Sequence, residues 1–469
     1  MIHSDTEHEE EEKRNKMNLE NKVVLVVGCG ISGIGAAELL YRTGAVPVLF
    51  DANEQVDIEQ VLSKISSDCK ITVEKGNVSA ETNQNTELVV LSPGVPSDTE
   101  FVDSYRNRNI PIWGEVELAY AFEQGCVAAI TGTNGKTTTT ALTGQIMEDY
   151  GKQTFVVGNI GNAYTKETLH TTKDSVTVAE ISSFQLETIH DFHPHVSAIL
   201  NITPDHLNRH HTMGNYVSVK ESIAMNQTRD DYCVLNYEDE YTRKFGEKCP
   251  ANVIWFSSKQ ILLDGYYLKD DMICKAVNGQ ETSLFNIHTM NLLGNHNVEN
   301  VMAAIAIGEA LGVPTDSIIA TVQKFKAVEH RIEYVATKRG VAYYNDSKGT
   351  NPDAAIQGIR AMNRKTVLIG GGYDKQNTYD EWIESFEHKV KCLVLIGQTR
   401  EKIAACARAH GFDDIIMADS LEEAMDICIQ EAAPGDAVLL SPACASWGMF
   451  PNYEVRGKMF KELVMKIEE

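Results

Sequence analysis

Three α/β domains are what this sequence predicts: a Rossmann-like N-terminal domain, a central P-loop ATPase-like domain and a C-terminal doubly wound domain. Three observations predict them. Short β-branched runs such as Val23-Val24-Leu25-Val26-Val27 open directly into small-residue turns and then helical patterns. That alternation restarts near residues 126 and 329. Finally, 469 residues exceed what one hydrophobic core organises.

Each element follows from its own pattern. The first strand enters Gly28-Cys29-Gly30-Ile31-Ser32-Gly33, a helical stretch runs through Leu40, and a second strand over residues 46–50 ends at Asp51, completing one βαβ unit. A strand at 88–91 and the turn Ser92-Pro93-Gly94 continue it to about Trp113. The second alternation opens with a strand at 126–130, a glycine turn and a helix to about Tyr150, with further strands at 176–179 and 196–200. Residues 232–285 lack a clear period and read only as strands and turns. A helix over 297–311 has Val301, Ala304, Ile305 and Gly308 on one face. The third alternation has strands at 341–344, 366–369, 393–396, 415–417 and 437–440. The expected division is 18–113, 114–328 and 329–469, with 1–17 a disordered acidic tail.

Composition excludes several classes. Forty-two basic against 66 acidic residues give a net charge of −24, which disfavours nucleic acid and anionic membranes as partners. A phosphorylated ligand then needs local devices: helix N-termini, a lysine, an arginine or a divalent cation. No apolar run reaches the ~20 residues of a membrane span, and the first 17 residues lack the apolar stretch of a secretory signal. Ten cysteines without CxxC spacing fit reduced thiols and a cytoplasmic protein.

Chemistry concentrates in a few segments. In Gly132-Thr133-Asn134-Gly135-Lys136-Thr137-Thr138, glycines let amides turn toward phosphates, Lys136 neutralises them and Thr137 offers a hydroxyl to Mg²⁺. The common P-loop spacing wants glycine at 130, where this chain has Ile130, so the loop is a variant. Glu180 follows a strand, where a metal ligand belongs, although such a position alone is more often a solvated turn. His206 and His210 stand one helical turn apart, but without HExxH or a third ligand they read as non-zinc, one of them near Mg²⁺-bound phosphates. Gly28, Gly30 and Gly33 with Asp51 suit a diphosphate and a ribose; NAD, FAD and a UDP-sugar all satisfy that pattern. In the last third, Asn345-Asp346-Ser347-Lys348, Gly370-Gly371-Gly372 and Ser441-Pro442-Ala443-Cys444-Ala445-Ser446 each close a strand, which predicts one ligand edge.

In order, residues 131–138, 180–187 and 201–207, Gly294-Asn295-His296-Asn297 with Asn300, and Glu329-His330-Arg331 resemble the motifs of the Mur ligase family, from about residue 18 to the end. Asn345, Asp346, Ser347 and Lys348 with Thr350, and the 441–446 turn with Asn452-Tyr453-Glu454 and Arg456-Gly457, resemble the D-glutamate-adding branch. Gly448 stands where an acidic residue is usual, and Tyr453 where Phe is frequent. The resemblance implies an ATP- and Mg²⁺-dependent ligase joining D-glutamate to UDP-N-acetylmuramoyl-L-alanine through an acyl phosphate, in peptidoglycan precursor synthesis, as a cytoplasmic monomer. Another amino-acid-adding member or a folylpolyglutamate synthetase is the alternative.

Roles carried over are these. Lys136, Asn134, His206, Lys220 and Lys348 serve catalysis; Thr137, Glu180, His206 and Lys220 serve the metal, Lys220 as a carbamate against the plain reading of a surface ammonium. ATP falls to the 132–138 loop with Asn297, Asn300, Arg331 and Asp346, and the UDP end to Ile31, Ser32, Asp51 and Gly94. D-Glutamate falls to Thr350, Lys375, Ser446 and Tyr453.

Overall fold

The computed structural model describes residues 19–292, 294–326 and 328–468; the expected acidic tail lies outside them. The chain forms two compact units, one of residues to Phe256 with Ala303–Ile318, the other of Ser257–Met302 with Ile319–Glu469.

The first unit opens with strands β1 (Val23–Val27), β2 (Val46–Asp51), β3 (Thr72–Lys75), β4 (Thr86–Leu91) and β5 (Ile112–Gly114), in the order β3-β2-β1-β4-β5. All pairings are parallel, with Val27 opposite Phe50 on one side and Leu91 on the other. The apolar runs are unbroken because both faces are covered. Val24 and Val26 join one core with Ile34, Leu39 and Leu40 of the helix Ile31–Arg42, while Leu25 and Val27 join another with Val102 and Tyr105. Strand order reverses between β1 and β4, so the crevice lies at the turns that follow them.

A second parallel set comprises β6 (Cys126–Thr131), β7 (Thr154–Gly158), β8 (Val176–Glu180), β9 (Val196–Ile199), β10 (Tyr232–Asn236) and β11 (Asn252–Ser257), running β11-β10-β9-β6-β8-β7. Here β6 is central, with Ile130 opposite Glu180 of β8 and Ala198 of β9. Its reversal point is therefore the turn after β6. The stretch read as strands and turns also contains a helix, Glu240–Gly246, capped by the Asp239 carboxylate, which accepts from the Tyr241 and Thr242 amides. It is too short to leave a period in the sequence.

In the second unit β12 (Gly265–Lys269), β13 (Met272–Val277) and β14 (Gln280–Asn286) form an antiparallel meander. A further sheet holds β15 (Glu333–Lys338), β16 (Val341–Asn345), β17 (Thr366–Gly371), β18 (Val390–Ile396), β19 (Ile415–Met417) and β20 (Ala437–Leu440), ordered β15-β16-β20-β17-β18-β19. The edge strand β15 is antiparallel and half-exposed, so it carries no apolar run that would mark it in the sequence. The other pairings are parallel. The turns after β16, β17 and β20 meet: the Asp346 amide donates to Leu440 O (2.8 Å), Gly371 to Pro442 O (2.8 Å) and Tyr373 to Ala445 O (2.9 Å).

Candidate active site

The glycine turn begins only after β6 ends, at Gly132, because Ile130 is a fully buried strand residue. Gly135 caps the helix Lys136–Asp149 with φ +87°, a conformation that costs glycine little. The segment after β9 grips the turn. Asn201 O accepts from the Thr133 amide (2.9 Å), Asn201 Oδ1 from the Asn134 amide (2.8 Å), and Asn201 Nδ2 donates to Asn134 O (3.0 Å). The Thr203 amide donates to Thr133 Oγ1 (3.0 Å). Lys136 Nζ folds over the turn onto Gly132 O and Thr133 O, each at 2.8 Å. The hydroxyl-bearing Thr137 and Thr138 are buried in the helix's first turn. Asn201 and Thr203 lie in the 201–207 motif segment just past β9, although neither is among the expected site residues.

Beside this turn stand an acid and a second lysine. Glu180 ends β8 and is 1% exposed. Its Oε1 accepts from Asn159 Nδ2 (2.9 Å), while its Oε2 is buried without a hydrogen-bond partner among the described residues. A buried carboxylate oxygen lacking a donor is costly, and a cation offsets that cost, so the residue fits a metal-ligand role. Lys220, on the helix Met213–Glu221, is also 1% exposed, which overturns the surface-ammonium reading. Its Nζ donates to Gly132 O (2.9 Å) and Thr131 Oγ1 (3.4 Å) and lies 4.9 Å from the Tyr216 ring centroid. Burial, reinforced by Lys136, drives its pKa well below the usual lysine value, with Asp205 opposing.

The two histidines occupy different surroundings. His206 precedes its short helix in the left-handed region (φ +52°) and packs edge-on against Phe184 at 4.8 Å. His210 is buried, with Nε2 2.9 Å from Ser183 Oγ and Nδ1 3.6 Å from Glu187 Oε1. Burial lowers its pKa.

At the N-terminal sheet, Ile31, Ser32, Asp51 and Gly94 gather at the ends of β1, β2 and β4. Ile31 is 77% exposed, and the space around Gly94 is open. Asp51 braces the glycine turn, since Oδ2 accepts from the Cys29 amide (3.1 Å) and Oδ1 from Asn53 (2.9 Å). Burial first, and Asp51 second, push the Cys29 thiol up to about 11. Arg209 ties the Gly94 segment to the central domain: it donates to Val95 O (2.9 Å) and forks onto Glu187 (3.1 and 2.6 Å). No motif announced Arg209 as a connector.

In the second unit, Asp346 is fully buried at the end of β16. Oδ2 accepts from Ser441 Oγ (2.7 Å), Oδ1 from the Ile332 amide (3.3 Å), and Arg331 Nη1 stands 3.8 Å away. Burial raises its pKa to about 6, with Arg331 the largest opposing influence. Asn300 Nδ2 donates to Asn297 Oδ1 (3.0 Å). The neighbouring His296 has both ring nitrogens buried without hydrogen-bond partners among the described residues, and burial with the nearby Arg331 charge holds its pKa down to about 3. Lys348 Nζ lies 5.5 Å from the Tyr453 ring, and Lys375 Nζ 5.9 Å from the Trp447 ring. Thr350 follows Lys348 on the β16 turn, its amide donating to Lys348 O (2.8 Å), and Ser446 is buried on the β20 turn.

A phosphate-type glycine turn carrying a lysine, flanked by a buried acid and a desolvated second lysine, defines a nucleotide-dependent enzyme of the P-loop-like α/β class. Family comparisons match the Mur ligase MurD-like N-terminal domain at residues 22–114, the Mur ligase middle domain at 130–308 and the Mur ligase glutamate ligase domain at 330–444. A UDP-N-acetylmuramoylalanine--D-glutamate ligase of Lachnospira eligens is 58% identical over 448 residues, 96% of this chain and 99% of that one. One of the same name from Lachnoclostridium phytofermentans is 55% identical over 97% of this chain and all of its own. The fold is shared with UDP-N-acetylmuramate-alanine ligase MurC of Thermotoga maritima (TM-score 0.61, 20% identity, 95% and 100% of the two chains covered). MurF of the same organism, solved with ADP, has a TM-score of 0.57 at 17% identity over 96% of each chain. The chain belongs to the Mur ligase family, the ATP-dependent ligases that form amide bonds.

Proposed function

We propose that this enzyme joins D-glutamate to UDP-N-acetylmuramoyl-L-alanine with cleavage of ATP to ADP and phosphate, a step of peptidoglycan precursor synthesis. The observation that carries the ligase chemistry lies at the end of β6, where Lys136 and Lys220 both donate to Gly132 O while Glu180 ends the adjacent strand opposite Ile130. The name shared by the near full-length relatives carries the choice of substrates.

The three family segments support a division of labour at 18–113, 114–328 and 329–469. Ile31, Ser32, Asp51 and Gly94 receive the UDP end. The 132–138 turn receives the triphosphate; the nucleotide roles of Asn297, Asn300, Arg331 and Asp346 rest on the family resemblance. Lys348, Thr350, Lys375, Ser446 and Tyr453 receive D-glutamate, whose two carboxylates suit the two lysines.

Carboxylate and triphosphate repel each other, so positioning and charge neutralisation dominate the first step. Lys136 binds the phosphates that replace its loop carbonyls, and Asn134 orients the acyl oxygens. Thr137, Glu180 and His206 would hold Mg²⁺, which supplies charge neutralisation at the transferring phosphoryl group. A neutral amine is the form that adds CO₂, losing one proton to give a carbamate, and the depressed pKa of Lys220 supports that modification. The amine of D-glutamate then displaces phosphate from the acyl phosphate.

No helix among the described residues is long and apolar enough to cross a membrane, and the ten cysteines are free thiols. A cytoplasmic location and a monomeric state complete the proposed reading. The test is an amino-acid panel: with UDP-N-acetylmuramoyl-L-alanine and ATP, phosphate release should require D-glutamate. Equal turnover with L-glutamate or a diamino acid overturns the substrate assignment.

A further inference from the structure

We infer that Arg456 is a positioning residue for the incoming amino acid, fastening into one platform the segments that carry Lys348, Ser446 and Tyr453. This rests on the reading that the last domain receives D-glutamate. Arg456 sits one turn into the helix Tyr453–Met465 and is almost wholly buried. Its Nε donates to Ser347 Oγ (2.9 Å) and its Nη2 to Ser347 O (2.7 Å). Nη1 and Nη2 also reach Cys444 O, at 3.3 and 3.4 Å. Ser347 Oγ in turn donates to Tyr453 O (2.9 Å), the residue whose ring lies 5.5 Å from Lys348 Nζ. One guanidinium thus spans the turn after β16, the turn after β20 and the start of the last helix. The fourth segment joins by backbone, since the Tyr373 amide on the Lys375 turn donates to Ala445 O (2.9 Å).

The choice of arginine is informative. Its planar fork engages a hydroxyl and two carbonyls at fixed angles, which an ammonium cannot reproduce. Burying a guanidinium on neutral acceptors is costly, and an apolar side chain would fill the same space without that cost. Burial lowers its pKa to about 10, which leaves it charged at neutral pH. What the charge adds over an apolar filler is geometry. The two turns and the helix start hold their relative spacing before substrate arrives, and an amino acid with two carboxylates is sensitive to the spacing of its cations.

The experiment compares the full-length wild type with Arg456→Lys, which keeps charge but loses the fork, and with the milder Ser347→Ala. For each, KM is measured for D-glutamate, UDP-N-acetylmuramoyl-L-alanine and ATP. Acyl-phosphate formation is measured separately without D-glutamate, by reductive trapping with borohydride. Arg456→Lys should raise KM for D-glutamate about tenfold or more, and Ser347→Ala should raise it in the same direction. Acyl-phosphate formation and the other two KM values should stay within about twofold. An unchanged KM for D-glutamate in both variants overturns the inference, as does a parallel loss of acyl-phosphate formation, which marks general destabilisation. If the wild type turns over only with a different amino acid, the substrate reading fails, and the same split measured on that amino acid still decides the role of Arg456.

Discussion

The amine of Lys220, a residue only 1% exposed, donates to the carbonyl of Gly132 across 88 residues of sequence. A lysine so placed is destabilised as an ammonium, because burial and Lys136 both oppose its charge. The fold therefore shifts this lysine toward its neutral form.

Lys220→Met should lower turnover by about a hundredfold or more, the scale of losing one charge-stabilising group. Its effect on stability has the opposite sign. The folded pKa lies below the unfolded one, so the wild type loses stability as pH falls through the folded value, whereas the methionine variant does not. Thermal melting of both proteins from pH 9 down to pH 6 checks this; a difference independent of pH contradicts the buried amine.

Glu180→Gln should cost roughly 10²–10³ in kcat and raise the Mg²⁺ concentration needed for half-maximal activity. Stability should hold or rise, since the variant removes a buried carboxylate oxygen that lacks a donor. Asn159→Ala removes the amide that orients Glu180, and should cost about 10–100-fold in the same assays. Magnesium titrations of activity read both.

Asp346 carries its own pH signature. Its folded pKa is raised to about 6 by burial, above the unfolded carboxylate value, so its contribution is full at low pH and lost as pH rises through 6. Relative to Asp346→Asn, the wild type should lose on the order of 3 kcal/mol between pH 4 and pH 7. Denaturant melts of the pair at three pH values measure it, and a flat difference contradicts the assignment.

Two glycines of one turn should behave oppositely. A Cβ at Gly33 would stand 1.8 Å from Gly28 O, whereas one at Gly30 meets nothing within 4 Å. Gly33→Ala should cost about 1–3 kcal/mol or more by forcing the helix off β1, while Gly30→Ala should stay within about 0.5 kcal/mol. Equal effects in a melting comparison would refute the close helix approach.

Much of this was legible because it is local. The β-branched runs, the glycine turns and the two P-loop-like residues Lys136 and Thr137 are contiguous patterns, and each strand-end turn announced its place at a sheet edge. The partners of those turns were not legible. Asn159 and Arg209 stand in no motif, and although Asn201 and Arg456 lie within matched motifs, nothing local names their partners: the hydrogen bonds of Asn159, Asn201, Arg209 and Arg456 span 21, 67, 114 and 109 positions. The edge strand β15, half-exposed, lacked the apolar run that betrayed its neighbours.

By itself the sequence determined the α/β alternation, the two glycine-rich turns and the inventory of acids and lysines, because short-range sterics and periodicity dictate strands, turns and helix starts. Only the tertiary structure decided which lysine is buried and pushed toward neutrality, which glutamate keeps an oxygen open and which arginine fastens the turns. Charge state and hydrogen-bond satisfaction depend on water being excluded by residues far away in the chain, and exclusion is a property of the packed fold.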